Sequence, residues 1–224
     1  TGGAPAAWLL FSALVSAAAV WWVGFLGGAS AAALLAVDPL QIAYAGEVNN
    51  YPLLVLLVAM MFWCTEQAVR GRGIRGLVVV GILAGWTHLL GVVVLGVCFL
   101  RIVHRDRKAA LRVGGACCLG LLPVAWQVWG LAGAGGTYGQ EGLDWSLVVS
   151  GVREKIGAWW LILVPAAVAS WRGRHVMGLQ AGALFAVILA LIAAGVAAPH
   201  QQPYWLVLGP PLALLVASLR GPIP

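Results

Sequence analysis

The chain has 224 residues, of which 62% are hydrophobic and 9% charged, with a formal net charge of +6 and a mean hydropathy of +0.96. A soluble domain carries about 25% charged residues, so this much apolar surface needs lipid to cover it, and the expected fold is an all-α polytopic transmembrane helical bundle. Strand-period alternation is absent, which argues against an outer-membrane barrel, and the cations sit in short loops between apolar runs, where they act as topology signals rather than as a nucleic-acid surface.

Taken in chain order, apolar runs fall near 5–26, 29–45, 51–69, 75–103, 110–131, 157–171, 176–198 and 204–220. As one helix the run 75–103 would be about 43 Å long, too long for a hydrocarbon core of about 30 Å. RGRGIR (70–75) precedes it and RIVHRDRK (101–108) ends it. A single crossing would put these basic clusters on opposite faces. Two short crossings that turn near Trp86-Thr87-His88 put both on one face, as the positive-inside rule prefers. The count then comes to about nine segments. Arg172, Arg174 and Arg220 join the cytoplasmic face; the N-terminus, 46–50, 86–91, the loop 132–156 and 199–203 face outward.

The polar residues gather on that outward side. Glu47, Asn49, Asn50, His88, Gln140, Glu141, Asp144, His200, Gln201 and Gln202 all lie in outward turns or at their edges. Tyr44, Tyr51, Trp86, Trp126, Trp129, Trp159, Trp160, Tyr204 and Trp205 fall near the same interface, where amphipathic rings are favoured. Reaction or recognition is therefore expected on the extracytoplasmic face of a cytoplasmic membrane.

AYAGEVNNYP (43–52) is the most concentrated of these turns. An acid at a membrane boundary faces water or a protein cavity; Glu47 there suits a general base, a metal ligand or a partner for a sugar hydroxyl, or it is an ordinary solvated loop acid. Asp38, just before Pro39, reads as structural, satisfying backbone groups around the proline. His88 suits phosphate binding or proton relay, or a hydrogen-bonded interfacial role. AGAGGTYGQ (132–140) lacks the Lys-Ser or Lys-Thr of a P-loop and reads as a mobile loop whose Tyr138, Gln140, Glu141 and Asp144 would suit a lid. Arg153 and Lys155 after it read as ordinary interfacial cations, the alternative being contact with the phosphate of a lipid carrier. Pro203 suits the first turn of the last helix, which Pro210-Pro211 interrupts. Cys64, Cys98, Cys117 and Cys118 show neither metal-ligand spacing nor a disulfide framework and read as small buried hydrophobes.

Three stretches together resemble a known family. LLAVDPLQIAYAGEVNNYPLLVLLVAM (34–60), GILAGWTHLLGVVVLGV (81–97) and PYWLVLGPPLALLVASL (203–219) are similar, in order and spacing, to segments of the bacterial family 39 glycosyltransferases. These are GT-C fold relatives of protein O-mannosyltransferase and the aminoarabinose transferase. Pro39, Glu47 and Tyr51 match the family's proline, acid and tyrosine; Thr87 and His88 match its Tyr-Thr-His turn; Tyr204 and Pro210 match its late tyrosine and proline. Asn49 and Pro203 stand where the family carries arginines, and the family's principal catalytic Asp would lie upstream of Thr1. The resemblance thus implies a single transmembrane domain over 1–224 that lacks the family's first helix or two. It implies an inverting transfer of a sugar from a polyprenyl-phosphate-linked donor to a glycan, lipid or protein acceptor. Glu47 would be catalytic, and Asn49, Tyr51, His88, Gln202 and Tyr204 would bind substrate. No cofactor or metal is assigned. The membrane lipid and the lipid-linked donor are the expected partners, with no nucleic acid. A transporter or flippase of lipid-linked substrate, or a non-catalytic membrane subunit, is the alternative.

Overall fold

The computed structural model describes residues 3–133, 146, 149–150, 182–188, 190 and 207–218. Every regular element among them is helical. Those with defined bounds are, in chain order, α1 (Gly3–Ala36), α2 (Pro39–Ala45), α3 (Tyr51–Val69), α4 (Ile74–Thr87), α5 (Leu89–Arg105), α6 (Arg107–Gly120), α7 (Leu122–Gly133) and α8 (Gly209–Ser218); residues 182–188 are helical too.

α1 is not one rod. Gly28 takes φ 78°, ψ −178° inside it, a left-handed conformation that glycine adopts without a Cβ penalty. The chain folds back there so tightly that a Cβ on Gly24 would lie 2.8 Å from that of Ala32. Residues eight apart in a straight helix are separated by about 12 Å along the axis, so residues before and after Gly28 form a helical hairpin. The break falls between the expected runs 5–26 and 29–45. The return limb is itself broken at Asp38-Pro39. The Asp38 carboxylate accepts the Leu40 N–H at 3.1 Å and caps α2, with Pro39 in its first turn. Asp38 is fully buried, and its reading as a structural residue agrees with this geometry.

α3 through α6 run alternately up and down. Between α3 and α4 the turn 70–73 closes with Gly71 and Gly73 at φ 80° and 76°. Between α4 and α5 a single residue, His88, makes the turn expected near Trp86-Thr87-His88. The two helices then lie so close that a Cβ on Gly91 would overlap the Ala84 carbonyl. The hairpin brings both basic clusters to one end of the bundle, where Arg101 Nε meets Glu66 Oε1 at 3.4 Å. α6 climbs back until the Gly120 carbonyl accepts the Trp86 indole N–H at 2.9 Å.

Here the structure differs from the single expected run 110–131. The chain bends by 52° between Arg107–Gly120 and Leu122–Gly130. Pro123 is the physical reason, since it has no N–H and its ring crowds the carbonyl four residues back. α8 packs on α1 and α3; Pro210 and Pro211 stand in its first turn, after a turn at 207–208.

Phe62, Leu35, Leu54, Met61, Leu77, Ile102 and Leu214 are fully buried in a continuous apolar core. The outside is apolar too: Trp21 is 66% exposed, Leu111 77% and Trp129 81%. Water does not tolerate so broad an apolar perimeter and lipid does. Two helices among the described residues, or three if the bent pair counts as one span, are long and apolar enough to cross a membrane. That is fewer than the expected nine or so, because α4 and α5 are short and the runs 157–171 and 176–198 lie largely outside the described residues. Cys118 corrects another expectation. Cys64, Cys98 and Cys117 are buried but Cys118 is exposed, since neighbours on a helix point about 100° apart and one of such a pair must leave the core.

Candidate functional site

The end of the bundle opposite the basic clusters is built from two turns, 46–50 and 87–88. Glu47 is exposed, and Asn49 and Tyr51 are half-buried. The Asn49 amide fixes the local geometry. Its Oδ1 accepts the Tyr51 N–H at 3.0 Å, which turns its Nδ2 toward Glu47, where it donates to Oε2 at 3.0 Å. The Asn49 carbonyl in turn accepts the Ser12 hydroxyl at 3.4 Å, so the first limb of α1 holds the turn from beneath. Asn50 Nδ2 donates to the Thr87 carbonyl, which ties the two turns together.

His88 serves both helices it joins. Its N–H donates to the Ala84 carbonyl at 3.0 Å and its carbonyl accepts the Gly91 N–H at 2.8 Å. Its Nδ1 accepts the Leu90 N–H at 3.1 Å and so caps α5. An accepting Nδ1 carries no proton, so the imidazole is neutral with its N–H at Nε2. Burial lowers its pKa below the ordinary histidine value in the same sense. The ring lies 5.4 Å from that of Tyr51, and Tyr51 lies 4.9 Å from Tyr44 at a steep angle. A row of three rings therefore runs from α2 across the start of α3 to the α4–α5 turn.

Of the residues singled out in the sequence, the structure brings Glu47, Asn49, Tyr51 and His88 to one end, with Tyr44 and Asn50 beside them. Gln202 and Tyr204 lie outside the described residues, as do Gln140, Glu141, Asp144, Arg153, Lys155, His200 and Gln201. Among the described residues, no group of three or more His, Cys, Asp or Glu is placed to hold a metal ion. The arrangement offers an exposed carboxylate oriented by an amide, an imidazole N–H donor and an aromatic wall. Such a set suits a polyhydroxyl ligand.

Sequence reading missed one polar layer beneath this end. Gln41 Nε2 donates to Ser16 Oγ at 2.7 Å across the Gly28 hairpin, and both residues are buried. Gln41 Oε1 has no partner among the described residues. A glutamine amid apolar residues two positions after Asp38-Pro39 was the available signal. No family model, curated protein or solved structure matches the chain.

Proposed function

We propose that the chain is the membrane portion of a glycosyltransferase of GT-C type, which moves a sugar from a polyprenyl-phosphate-linked donor to an acceptor on the extracytoplasmic face. The observation that carries this reading is the Glu47–Asn49 pair beside the Tyr44–Tyr51–His88 row, at the end of the bundle opposite every described Arg and Lys. By the positive-inside rule the basic end is cytoplasmic, so the carboxylate faces the other side. The transfer is a direct displacement at the anomeric carbon. Glu47 takes the proton of the acceptor hydroxyl, or orients that hydroxyl for a second acid. The neutral His88 offers its Nε2–H to a phosphate oxygen of the donor. Tyr44 and Tyr51 stack on a sugar face, and the isoprenoid tail lies along the apolar perimeter.

A second reading, passage of lipid-linked material, draws on the helix broken at Asp38-Pro39, since broken helices and buried acids mark transport pathways. The Asp38 carboxylate, however, accepts the Leu40 N–H as the α2 cap.

The test is Glu47→Gln in the full-length protein, assayed in proteoliposomes with a polyprenyl-phosphate sugar. Transfer falls by at least about 100-fold if the carboxylate is the base, with helicity and melting temperature kept. Wild-type turnover in that variant removes Glu47 from the mechanism.

A further inference from the structure

The opposite end of the molecule carries its own recognition chemistry. Every described Arg and Lys lies there, on the α3–α4 turn, the end of α5 and the start of α6. Arg70 and Arg72 are exposed on the turn and Arg75 in the first turn of α4; Arg105, Arg107 and Lys108 are exposed at the α5–α6 junction. The acids at this end are already engaged. Glu66 pairs with Arg101, and the Asp106 carboxylate accepts the Lys108 and Ala109 N–H groups at 2.9 and 3.0 Å. Among the described residues neither acid is ion-paired with an exposed cation, so the cations at this end stand in excess.

The scaffold under them is stiff. Gly71 and Gly73 set a tight turn, the Arg72 N–H is bound by the Gln67 carbonyl at 2.7 Å, and the Glu66–Arg101 pair joins α3 to α5. Immediately along the helices from the cations, exposed apolar side chains take over: Val79 on α4 (57% exposed), Leu100 on α5 (64%) and Leu111 on α6 (77%). Cations next to exposed aliphatic side chains match a molecule with an anionic head and hydrocarbon tails. A nucleic acid or an acidic peptide would leave the aliphatic part uncovered.

We propose that this end is a docking site for anionic phospholipid headgroups, with the phosphate held between the α3–α4 turn and the α5–α6 junction and the acyl chains lying on α4, α5 and α6. The site is independent of the reaction assigned to the other end. Clustered cations at a membrane surface draw anionic lipid through charge, and the attraction fades within a screening length.

The experiment uses the full chain in phosphatidylcholine vesicles doped with spin-labelled phosphatidylglycerol or spin-labelled phosphatidylcholine. The wild type associates with the anionic lipid about tenfold more strongly than with the zwitterionic one. R72Q/R75Q/R107Q loses most of that preference, and R72K/R75K/R107K keeps it. Equal association of both lipids with the wild type, or a glutamine variant as selective as the wild type, overturns the site. Should the glutamine variant aggregate, the wild type at 1 M salt decides, where the screening length is about 3 Å: loss of the preference supports the site and an unchanged preference overturns it.

Discussion

The two ends of the α3–α6 bundle are made by the same device, a tight turn between antiparallel helices, yet they differ in kind. At the basic end long cations outnumber the two acids, Glu66 and Asp106, and most of them are exposed. At the opposite end they are short, and they are bound to backbone or to one another: Asn49 to Tyr51 and Glu47, Asn50 to Thr87, His88 to Leu90. Long mobile cations suit a diffuse field and a fluid partner. Short side chains locked by hydrogen bonds suit a ligand of fixed shape, because their geometry is set before it arrives. The two proposals follow this contrast: directional chemistry at one end and charge recognition at the other.

The largest expected effect is the loss of transfer in Glu47→Gln, at least about 100-fold, while substitutions at the basic end leave turnover per folded molecule near wild type. An activity assay on both sets of variants breaks the comparison if the basic end proves equally sensitive.

Next comes Gly91→Ala. A methyl group there collides with the Ala84 backbone, which cannot yield as a side chain would, so the α4–α5 hairpin must open. The expected cost is about 2–3 kcal/mol, read as a lowered melting temperature in detergent. Disturbing the hairpin also separates His88 from Tyr51, so the Glu47 end loses its row of rings along with stability.

Asp106→Ala removes a cap that serves two α6 amides and costs about 1 kcal/mol. It acts at the basic end alone and leaves the Glu47 turn intact, which solvent exchange of the Tyr51 and Leu90 amides would show.

The smallest effect is a pH dependence. The folded chain holds His88 neutral, with its pKa lowered by burial, whereas the unfolded chain binds a proton near pH 6.5. The unfolded state therefore binds more protons as pH falls, so His88's contribution is fully present above that value and declines below it. Melting temperatures between pH 8 and pH 5 should fall in the wild type and fall less in His88→Asn, whose amide caps α5 without titrating. Equal slopes in the two proteins contradict the neutral cap.

Much of this contrast is legible in the sequence. The turn at His88 follows from the basic clusters on either side of a run too long for one crossing, and the break at Gly28 lies where the expected runs 5–26 and 29–45 part. The gathering of Glu47, Asn49, Tyr51 and His88 at one end follows from helix lengths and alternating direction. Other features are not legible. Nothing along the chain announces that Ser16 and Gln41 meet, because that contact depends on how tightly the hairpin closes. The bend at Leu121 hides in an unbroken apolar run, with Pro123 its one trace. Which of Cys117 and Cys118 turns outward depends on the helix phase against its neighbours. The resemblance to the family 39 glycosyltransferases rests on the sequence, and the transfer assay on Glu47→Gln tests the reaction it implies.

The opposition of the two ends across a membrane is the premise beneath all of this, and site-directed labelling tests it most directly. With Cys118, the exposed thiol, replaced by serine, Val48→Cys and Arg72→Cys are treated with a membrane-impermeant maleimide in sealed vesicles of known orientation. The account predicts that the cysteine at 48 reacts from the extracytoplasmic side only and the one at 72 from the cytoplasmic side only. Reaction of both from the same side would contradict it.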